Sequence, residues 1–237
     1  MKAIYQPTGK AREFGDLACN LYRGCSHGCD YCYALGVLRM SREDFAKPKP
    51  RPGILRALEK DAKTHEGSRI PIFLCFTSDP YQPVGNSITR DAMKILHENW
   101  CGINILTKGG MRAADDFDIL AMNNDSWFGT TLTYSSYKQS KEHEPLAALP
   151  KNRILAIKTA KKMGINTWVN LEPVVGYRSA MSLIYNTMEF VDLYKIGKMN
   201  HRNGISSQEL RDFLRDASSL LESNSKDYYI KADCGFH

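Results

Sequence analysis

The residues best suited to chemistry are three cysteines in the stretch NLYRGCSHGCDYCYA, which occupies positions 20–34. Cys25, Cys29 and Cys32 have the spacing C-x3-C-x2-C. Cysteine thiolates are natural ligands of zinc and of iron–sulfur clusters, and both kinds of site need several cysteines close together. The spacing therefore predicts a metal site, and the number of ligands decides which kind.

A closed structural zinc site needs a fourth ligand, which would have to be His27 or a distant cysteine. No second pair of cysteines with a two-residue spacing occurs, and the other cysteines are isolated at positions 19, 75, 101 and 234. Three cysteines on a 4Fe-4S cluster would instead leave one iron open for a cofactor or substrate. That arrangement is typical of a reactive metal site.

The composition is that of an ordinary globular protein, with 237 residues, 43% hydrophobic side chains and a formal charge of +6. No run of membrane-spanning length and no signal-peptide pattern occurs. We therefore expect a cytoplasmic protein with reduced cysteines. The basic patches at 47–51 and 158–162 permit nucleic acid as a partner without indicating it.

Short apolar runs alternate with longer stretches of helical period, which predicts parallel βα units. The predicted strands are 17–22, 70–76, 102–107, 127–133, 166–172 and 190–196. Between them, apolar residues recur at helical spacing, as at Ile54, Leu58 and Ala62. We expect the proline-rich segment 47–53 to be a linker within the domain and 228–237 to add a last strand or a plug. The pattern favours an α/β barrel of six units.

In such a barrel, polar residues at the carboxyl ends of the strands point into the mouth where ligands bind. The sequence places there Thr77, Ser78 and Asp79, then Thr107 and Lys108, then Thr133 to Ser136, then Asn170 and Glu172, and finally Lys198 and Asn200. A carboxylate within a strand needs a partner, so Glu172 is a candidate site residue, and the alternative is that it pairs with Lys198.

The stretch CSHGCDYC resembles the signature of the radical S-adenosylmethionine (SAM) superfamily, a C-x3-C-x-aromatic-C motif after the first strand. Together with TSDPYQPVG, ILTKGG and HEPLAALPKNRILAIKTAKKMGI, it is similar to the group related to spore photoproduct lyase. The resemblance implies a partial (β/α)6 TIM-like barrel in a single domain over 1–237. The cluster loop would span about 23–52 and a C-terminal extension about 225–237.

The resemblance also implies the cofactors. Cys25, Cys29 and Cys32 would bind a 4Fe-4S cluster, and S-adenosylmethionine would chelate the open iron. The reduced cluster would cleave the cofactor to a 5′-deoxyadenosyl radical that abstracts hydrogen from substrate. A nucleobase in DNA or RNA is the substrate that the lyase-like group suggests. The alternatives are the same chemistry on a peptide or small metabolite, and a non-catalytic zinc or iron–sulfur module.

Cofactor-binding residues follow from the same resemblance. Tyr31 matches the position whose backbone contacts adenine, and Thr77, Ser78 and Asp79 would receive the cofactor's amino group. Ribose or carboxylate contacts would come from Thr133, Ser135, Asn170, Glu172 and Lys198. We expect His27 to be a solvated loop residue rather than a partner of the cluster.

The hydrogen donor is where this sequence departs from the lyase. Phe76 stands where the lyase keeps a donor cysteine, and Cys75 lies one residue earlier, where strand alternation would point it to the opposite face. Cys234, near the C-terminus, is then the candidate donor, if the terminal segment folds over the mouth.

The expected partners are a one-electron donor such as flavodoxin or ferredoxin and a nucleic acid substrate, with no membrane, and the protein is expected to be a monomer. Lys108, Arg112 and Lys138 would contact the nucleic acid, and Tyr134 and Tyr137 would stack on a base.

Overall fold

A computed structural model describes residues 1–84, 87–200 and 204–236. Its strands are β1 (Leu17–Ala18), β2 (Tyr22–Arg23), β3 (Lys49–Pro50), β4 (Ile72–Leu74), β5 (Ile103–Thr107), β6 (Trp127–Thr131), β7 (Asn166–Val174), β8 (Leu193–Lys198) and β9 (Asp227–Ile230). Its helices are α1 (Ala34–Leu38), α2 (Arg42–Phe45), α3 (Ile54–Thr64), α4 (Thr89–Glu98), α5 (Phe117–Ala121), α6 (Tyr137–His143), α7 (Pro150–Lys162), α8 (Tyr177–Thr187) and α9 (Ser207–Ser223). Three 3-10 helices cover Gly9–Glu13, Gly110–Asp116 and Ala232–Cys234.

Within the described residues, seven strands form one sheet in the order β1-β4-β5-β6-β7-β8-β9. Every pair in it is parallel, and the sheet curls into a half-barrel. The prediction of an α/β partial barrel is confirmed, and β9 supplies the last strand expected near the C-terminus. The carboxyl ends of these strands lie at one end of the half-barrel, so they can share one site.

The segment after β1 differs from the prediction of one strand over 17–22. Only Leu17–Ala18 joins the main sheet, and Tyr22–Arg23 pairs with Lys49–Pro50 in a separate, two-stranded antiparallel sheet. Part of the proline-rich segment is therefore a strand rather than a linker. A proline is compatible with this pairing because it lies in an edge strand, where its missing N–H costs no ladder bond.

The interior of the half-barrel is filled by large aromatic side chains. Trp168 of β7 is buried with Ala18 and Phe73, and its Nε1 donates to the Ile105 carbonyl at 3.2 Å. A Cβ on Gly129 would come within 2.2 Å of the Trp168 ring, so β6 needs glycine at this position. This packing makes a rigid aromatic floor beneath the carboxyl ends of the strands.

The helices cover the outer face through apolar stripes, which agree with the periods read from the sequence. Ile54, Leu58 and Ala62 are the buried residues of α3. Ser206 caps α9 by accepting a hydrogen bond from the Glu209 N–H at 3.1 Å, as its capping-box spacing predicts. None of the helices in the described part of the chain is long and apolar enough to cross a membrane.

Candidate functional site

A cavity of about 790 Å³ opens at the carboxyl ends of the strands. The three cysteines of the motif line it, and so do polar residues on or directly after β4, β5, β7 and β8. The predicted residues that line it are Tyr31, Thr77, Ser78, Asp79, Thr107, Lys108, Asn170, Glu172, Lys198 and Asn200. The structure therefore brings most of the predicted site residues together, although what each binds stays a prediction.

The cysteine loop is built around close backbone contacts. Cys25 donates its N–H to the Phe45 carbonyl at 2.7 Å. A Cβ on Gly24 would lie 2.6 Å from that oxygen, so the contact requires glycine before the first cysteine. At the other end of the loop, the Cys32 N–H donates to the Cys29 carbonyl at 3.3 Å. The loop is thus shaped by its own backbone.

The motif cysteines are free thiols in a largely apolar setting. Burial raises the pKa of Cys25 well above its ordinary value and that of Cys29 to about 11. Thiolates are the metal-binding form, so metal binding here releases protons. Among the described residues, no three His, Cys, Asp or Glu side chains lie close enough to hold a single metal ion.

The segment 143–146 holds the cysteine loop from outside, and we call it the clamp. The Asp30 N–H donates to the His143 carbonyl at 3.0 Å, and the side chains of these two residues are 3.0 Å apart. The Leu146 N–H donates to the His27 carbonyl at 3.1 Å. Between these contacts, the Tyr31 hydroxyl donates to Glu144. The loop is therefore attached to the clamp at three successive points.

Glu144 itself is held by a buried cation. Arg153 has no exposed surface, and its guanidinium pairs with Glu144 while it donates to the Thr131 carbonyl at 3.0 Å. Burial opposes ionisation of Glu144, but the charges of Arg153 and Lys108 outweigh it and lower the pKa of the carboxyl. Burial, followed by the charge of Glu144, raises the pKa of Tyr31 well above its ordinary value. The tyrosine thus keeps its proton and donates it to the carboxylate.

The turn after β4, which contains the predicted Thr77, Ser78 and Asp79, is fixed by Asn20. The Asn20 Oδ1 accepts hydrogen bonds from the N–H groups of Phe76 at 2.8 Å and Thr77 at 3.0 Å. Asn20 follows β1, so two neighbouring strand ends are tied together below the cavity.

Asp79 is buried and already has protein partners. Its carboxylate accepts hydrogen bonds from the Thr107 hydroxyl at 2.6 Å and the Lys108 N–H at 2.8 Å. The Tyr81 N–H donates to it at 2.8 Å, and the His27 Nδ1 is 3.4 Å away. These contacts make Asp79 an anchor that joins the ends of β4 and β5. Because these contacts already use most of its lone pairs, the Asp79 carboxylate has less capacity to accept a hydrogen bond from a cofactor amine than the sequence suggests.

His27 is not the solvated residue that we expected, because it is 2% exposed. Its Nε2 lies 3.2 Å from the Arg112 Nη2. Arginine can only donate, so Nε2 accepts and Nδ1 carries the proton toward Asp79. The chain Arg112–His27–Asp79 therefore ties the cysteine loop to the strand ends.

Replacing Asp79 with asparagine should destabilise the protein by about 2–3 kcal/mol at neutral pH, the range for losing hydrogen bonds to a charged group. Burial would raise the pKa of Asp79, but His27, Thr107 and the Lys108 N–H lower it well below its usual value. The stabilisation is present above the unfolded pKa of about 3.9 and is lost as pH falls below it.

Urea unfolding of wild type and Asp79→Asn at neutral pH and at stepwise lower pH measures this effect. The difference in unfolding free energy between the two proteins should narrow in acid. Asp91→Asn changes an exposed carboxylate and is the control, and its unfolding free energy should equal that of wild type. If the loss of unfolding free energy in Asp79→Asn does not change with pH, the Asp79 carboxylate does not stabilise the protein through its charge.

Asn170 and Glu172 of β7 face the same cavity. Asn170 is 5% exposed, and its buried Oδ1 has no hydrogen-bond partner among the described residues. Glu172 pairs with Lys231 at 2.9 Å, and not with Lys198, the partner that the sequence offered as an alternative. Burial raises the pKa of Glu172 although Lys231 opposes the shift. Lys198 lines the cavity without pairing with Glu172.

Two predicted cofactor contacts lie elsewhere. Thr133 is buried against the Tyr31 hydroxyl at 3.1 Å, and Ser135 is exposed and bonded to Ser179. Neither lines the cavity, since β6 ends at Thr131 and Thr131 is the residue that reaches it. Tyr134 was expected to stack on a base, but it is buried and stacked on His143. Tyr137 is 63% exposed.

The cysteines outside the motif also differ from expectation. Cys75 lines the cavity with Phe76, because β4 ends at Leu74 and strand alternation does not extend beyond it. Burial raises the pKa of Cys75 to about 12, so it is a thiol at neutral pH. Cys234 lies instead in an adjoining smaller pocket with Lys198 and Leu210.

Several site residues were missed by sequence reasoning. Lys231 follows β9 and is almost fully buried between Glu172 and Glu13. Lys10 and Phe14 reach the cavity from the N-terminal segment. For Lys231 a signal existed, since it is a polar residue directly after a short β-rich run, the same pattern that identified the other strand ends.

The residues present fit the cluster and cofactor that the sequence resemblance implies. Three thiols open onto one cavity, and the unpaired Oδ1 of Asn170 offers a buried acceptor in it. The ammonium of Lys108 lies 5.4 Å from the centre of the Tyr31 ring and supplies a cation at the cysteine end. A parallel half-barrel with such a mouth is suited to an organic cofactor bound beside a metal centre.

Comparison with known proteins identifies the family. Residues 19–191 match the model of the Radical SAM superfamily, and the chain belongs to that superfamily. An uncharacterised protein of Methanocaldococcus jannaschii is 24% identical over 198 residues, which are 82% of this chain and 73% of the relative. Family membership supports an enzyme of the radical SAM class.

Solved structures share the fold. Streptococcus suis SuiB bound to S-adenosylmethionine has a TM-score of 0.70 at 12% identity, covering 90% of this chain and 49% of SuiB. This chain thus spans about half the length of SuiB. Spore photoproduct lyase complexed with dinucleoside spore photoproduct has a TM-score of 0.72 at 13% identity, covering 95% of this chain and 78% of the lyase. At these identities the similarity shows the fold alone.

Proposed function

We propose that the protein is a radical SAM enzyme in which Cys25, Cys29 and Cys32 hold a 4Fe-4S cluster beside bound S-adenosylmethionine. The observation that carries the proposal is that all three cysteines open onto the cavity formed by the strand ends. When bound, the two groups supply a 5′-deoxyadenosyl radical that takes a hydrogen atom from substrate. The chain's own residues bind, orient and shield them.

Binding and orientation would come from the polar wall. The Asn170 Oδ1 can accept a hydrogen bond from an amine or hydroxyl, which would satisfy a buried atom that otherwise costs stability. Lys108 and Lys198 line the cavity and suit an anionic group such as a carboxylate. Thr77 and Ser78, which line the same cavity, offer hydroxyl and carbonyl oxygens.

Shielding would come from the apolar wall. Phe14, Phe73 and Phe76 line the cavity and pack on one another, with the Phe73 and Phe76 rings stacked at 4.2 Å. Such a lining excludes water from reactive species. Cys75 lies in the same wall as a protonated thiol, so we assign it ahead of Cys234 as the residue that can return a hydrogen atom.

Anaerobic reconstitution with iron and sulfide tests the metal assignment. We expect a brown protein whose visible absorbance falls when dithionite reduces it. A colourless, folded protein that binds one zinc ion instead would refute the proposal and favour the non-catalytic module.

For the substrate we propose a nucleobase carried by DNA or RNA. The support is the shared fold with a lyase whose structure holds a dinucleoside photoproduct, together with aromatic and basic groups at the surface. Tyr33 is 51% exposed at the cavity, and Tyr137 and Lys138 are exposed after β6. Exposed aromatic rings can stack an unpaired base, and the cations can contact phosphates.

DNA binding measured by fluorescence anisotropy over a salt series tests this proposal. We expect affinity to fall steeply with salt, and Lys138→Ala to reduce the slope of log K against log salt by about 1. Lys94→Ala, an exposed lysine of α4, is the control and should leave the slope unchanged. A flat salt response in wild type would overturn the nucleic acid proposal in favour of a peptide or small metabolite.

A further inference from the structure

A segment before β1 joins the two edges of the half-barrel. The edge strands β1 and β9 do not pair with each other in the described part of the chain, so the half-barrel has an open side. Residues 6–12, which we call the flap, cross this side. Before the flap, Tyr5 and Ala18 of β1 exchange backbone hydrogen bonds at 2.9 Å. At its tip, the Lys10 ammonium lies 2.6 Å from the carboxylate of Asp233, which follows β9.

The flap is also a wall of the cavity. Lys10 and Ala11 line the cavity, together with the three motif cysteines and Cys75. Because the flap crosses the open side of the half-barrel, a molecule that approaches the cysteines from that side must pass it. The position of the flap therefore sets how wide the cavity is for a substrate.

The chain directly after the flap is firmly held. The Glu13 Oε1 accepts hydrogen bonds from the Tyr229 hydroxyl at 3.1 Å and the Ala232 N–H at 3.0 Å. The Lys195 ammonium donates to the carbonyls of Glu13 at 2.9 Å and Phe14 at 3.2 Å. The Phe14 ring packs on the aromatic floor. Both ends of the flap are thus fixed to the half-barrel.

The tip of the flap is held by much less. Besides its ion pair with Asp233, Lys10 donates to the Asn200 Oδ1 at 2.8 Å, and we call these two contacts the latch. The Lys10 side chain is 58% exposed, and no residue of the 3-10 helix Gly9–Glu13 is buried. Exposed ion pairs contribute little stability and are screened by salt. The tip can therefore detach while both ends stay in place.

The backbone beside Lys10 suits such a movement. Gly9 has a φ of +58°, in the left-handed region that favours glycine, and a Cβ at this position would meet no atom within 4 Å. Opening requires a few residues that absorb a change of backbone angles, and an unpacked glycine next to the latch can do so.

We propose that the flap is the substrate gate of the cavity and that the Lys10 latch determines the size of the molecule that it admits. With the latch closed, the open side of the half-barrel is blocked to bulky groups. With the latch broken, a bulky planar group such as a nucleobase attached to its strand can enter. This inference rests on the proposed function, because it names the route by which a base would reach the cysteines.

The test measures how fast Cys75 reacts with two neutral maleimides of different size in full-length, metal-free protein. The reagents are N-ethylmaleimide and the bulky N-(1-pyrenyl)maleimide, and mass spectrometry of the peptide that contains Cys75 gives each rate. Lys10→Ala breaks the latch, and Lys10→Arg keeps a cation in it. Lys161→Ala is the matched control, because it breaks a pair with Asp192 that is also 2.6 Å long and does not line the cavity.

We expect Lys10→Ala to react about five- to tenfold faster than wild type with the pyrenyl reagent, since an exposed ion pair and a hydrogen bond are lost. Its rate with N-ethylmaleimide should stay within about twofold of wild type. Lys10→Arg and Lys161→Ala should match wild type with both reagents. An unchanged pyrenyl rate in Lys10→Ala would overturn the inference. Equal acceleration with both reagents would overturn it too, because that result indicates general loosening of the fold rather than a gate.

Failure of the proposed function has a different signature. A wild-type protein that forms no brown chromophore on reconstitution with iron and sulfide refutes the cluster assignment. The labelling of Cys75 still reports on the flap in that case, because it needs neither cluster nor cofactor.

Discussion

Cys29→Ala should abolish cluster loading and, with it, all cofactor cleavage. The motif supplies three ligands and no fourth, so the loss of one leaves two cysteines for a cluster that needs three. Cys29 is the most buried of the three and lies in the middle of the loop, where no other thiol can replace it. Iron and sulfide content and the visible spectrum after anaerobic reconstitution measure the effect.

Cys101→Ala is the matched control for this prediction. Cys101 is buried, as Cys29 is, but its thiol donates to backbone carbonyls near α3 and it does not line the cavity. We expect this variant to be somewhat less stable and to load a full cluster. Cofactor cleavage that survives in Cys29→Ala would show that the ligand assignment is wrong.

Glu144→Gln should destabilise the protein by about 3–5 kcal/mol, because it leaves the buried guanidinium of Arg153 without its counter-charge. It also weakens the acceptor for the Tyr31 hydroxyl, so the cysteine loop should loosen from the clamp. Urea unfolding of the metal-free protein measures the first effect. Hydrogen exchange at residues 25–32 measures the second, and their amides should exchange faster than in wild type.

The exposed ion pair of Glu43 and Lys47 provides the control for this second prediction. Glu43→Gln breaks an exposed carboxylate–lysine pair near the same loop, and it should cost less than about 1 kcal/mol. If Glu144→Gln costs no more than Glu43→Gln, or leaves the exchange of the cysteine loop unchanged, the clamp does not position the loop.

The fold could be predicted where the sequence has a period. Six parallel strands and the outer helices follow from runs such as 102–107 and from stripes such as that of α3. The two-stranded sheet β2–β3 was missed because strands of two residues are too short to show an alternation of apolar and polar side chains. Pairing between Tyr22 and Pro50 depends on contacts that no local pattern records.

The site could be predicted where its residues are close in sequence. The three cysteines and the turn at 77–79 needed only a local motif. The contact between the clamp and the cysteine loop could not be found this way, because Glu144 meets Tyr31 across 113 positions. Cys75 was placed wrongly because strand alternation was extended past the end of β4.

His27 shows a different limit. A histidine between loop cysteines has no sequence feature that distinguishes burial from solvation, and only the packing of the Arg112 side chain against it decides. The position of Lys231 after a strand could have been read from the sequence, but its pairing could not, since its partner Glu172 lies 59 positions earlier in the chain.

The most direct measurement is release of 5′-deoxyadenosine by protein that has been reconstituted anaerobically with iron and sulfide and then given dithionite and S-adenosylmethionine. We expect release that requires both the reductant and the loaded cluster, with none from Cys29→Ala. A folded wild-type protein that forms neither a brown chromophore nor 5′-deoxyadenosine would contradict the assignment of the three cysteines to a radical-generating site.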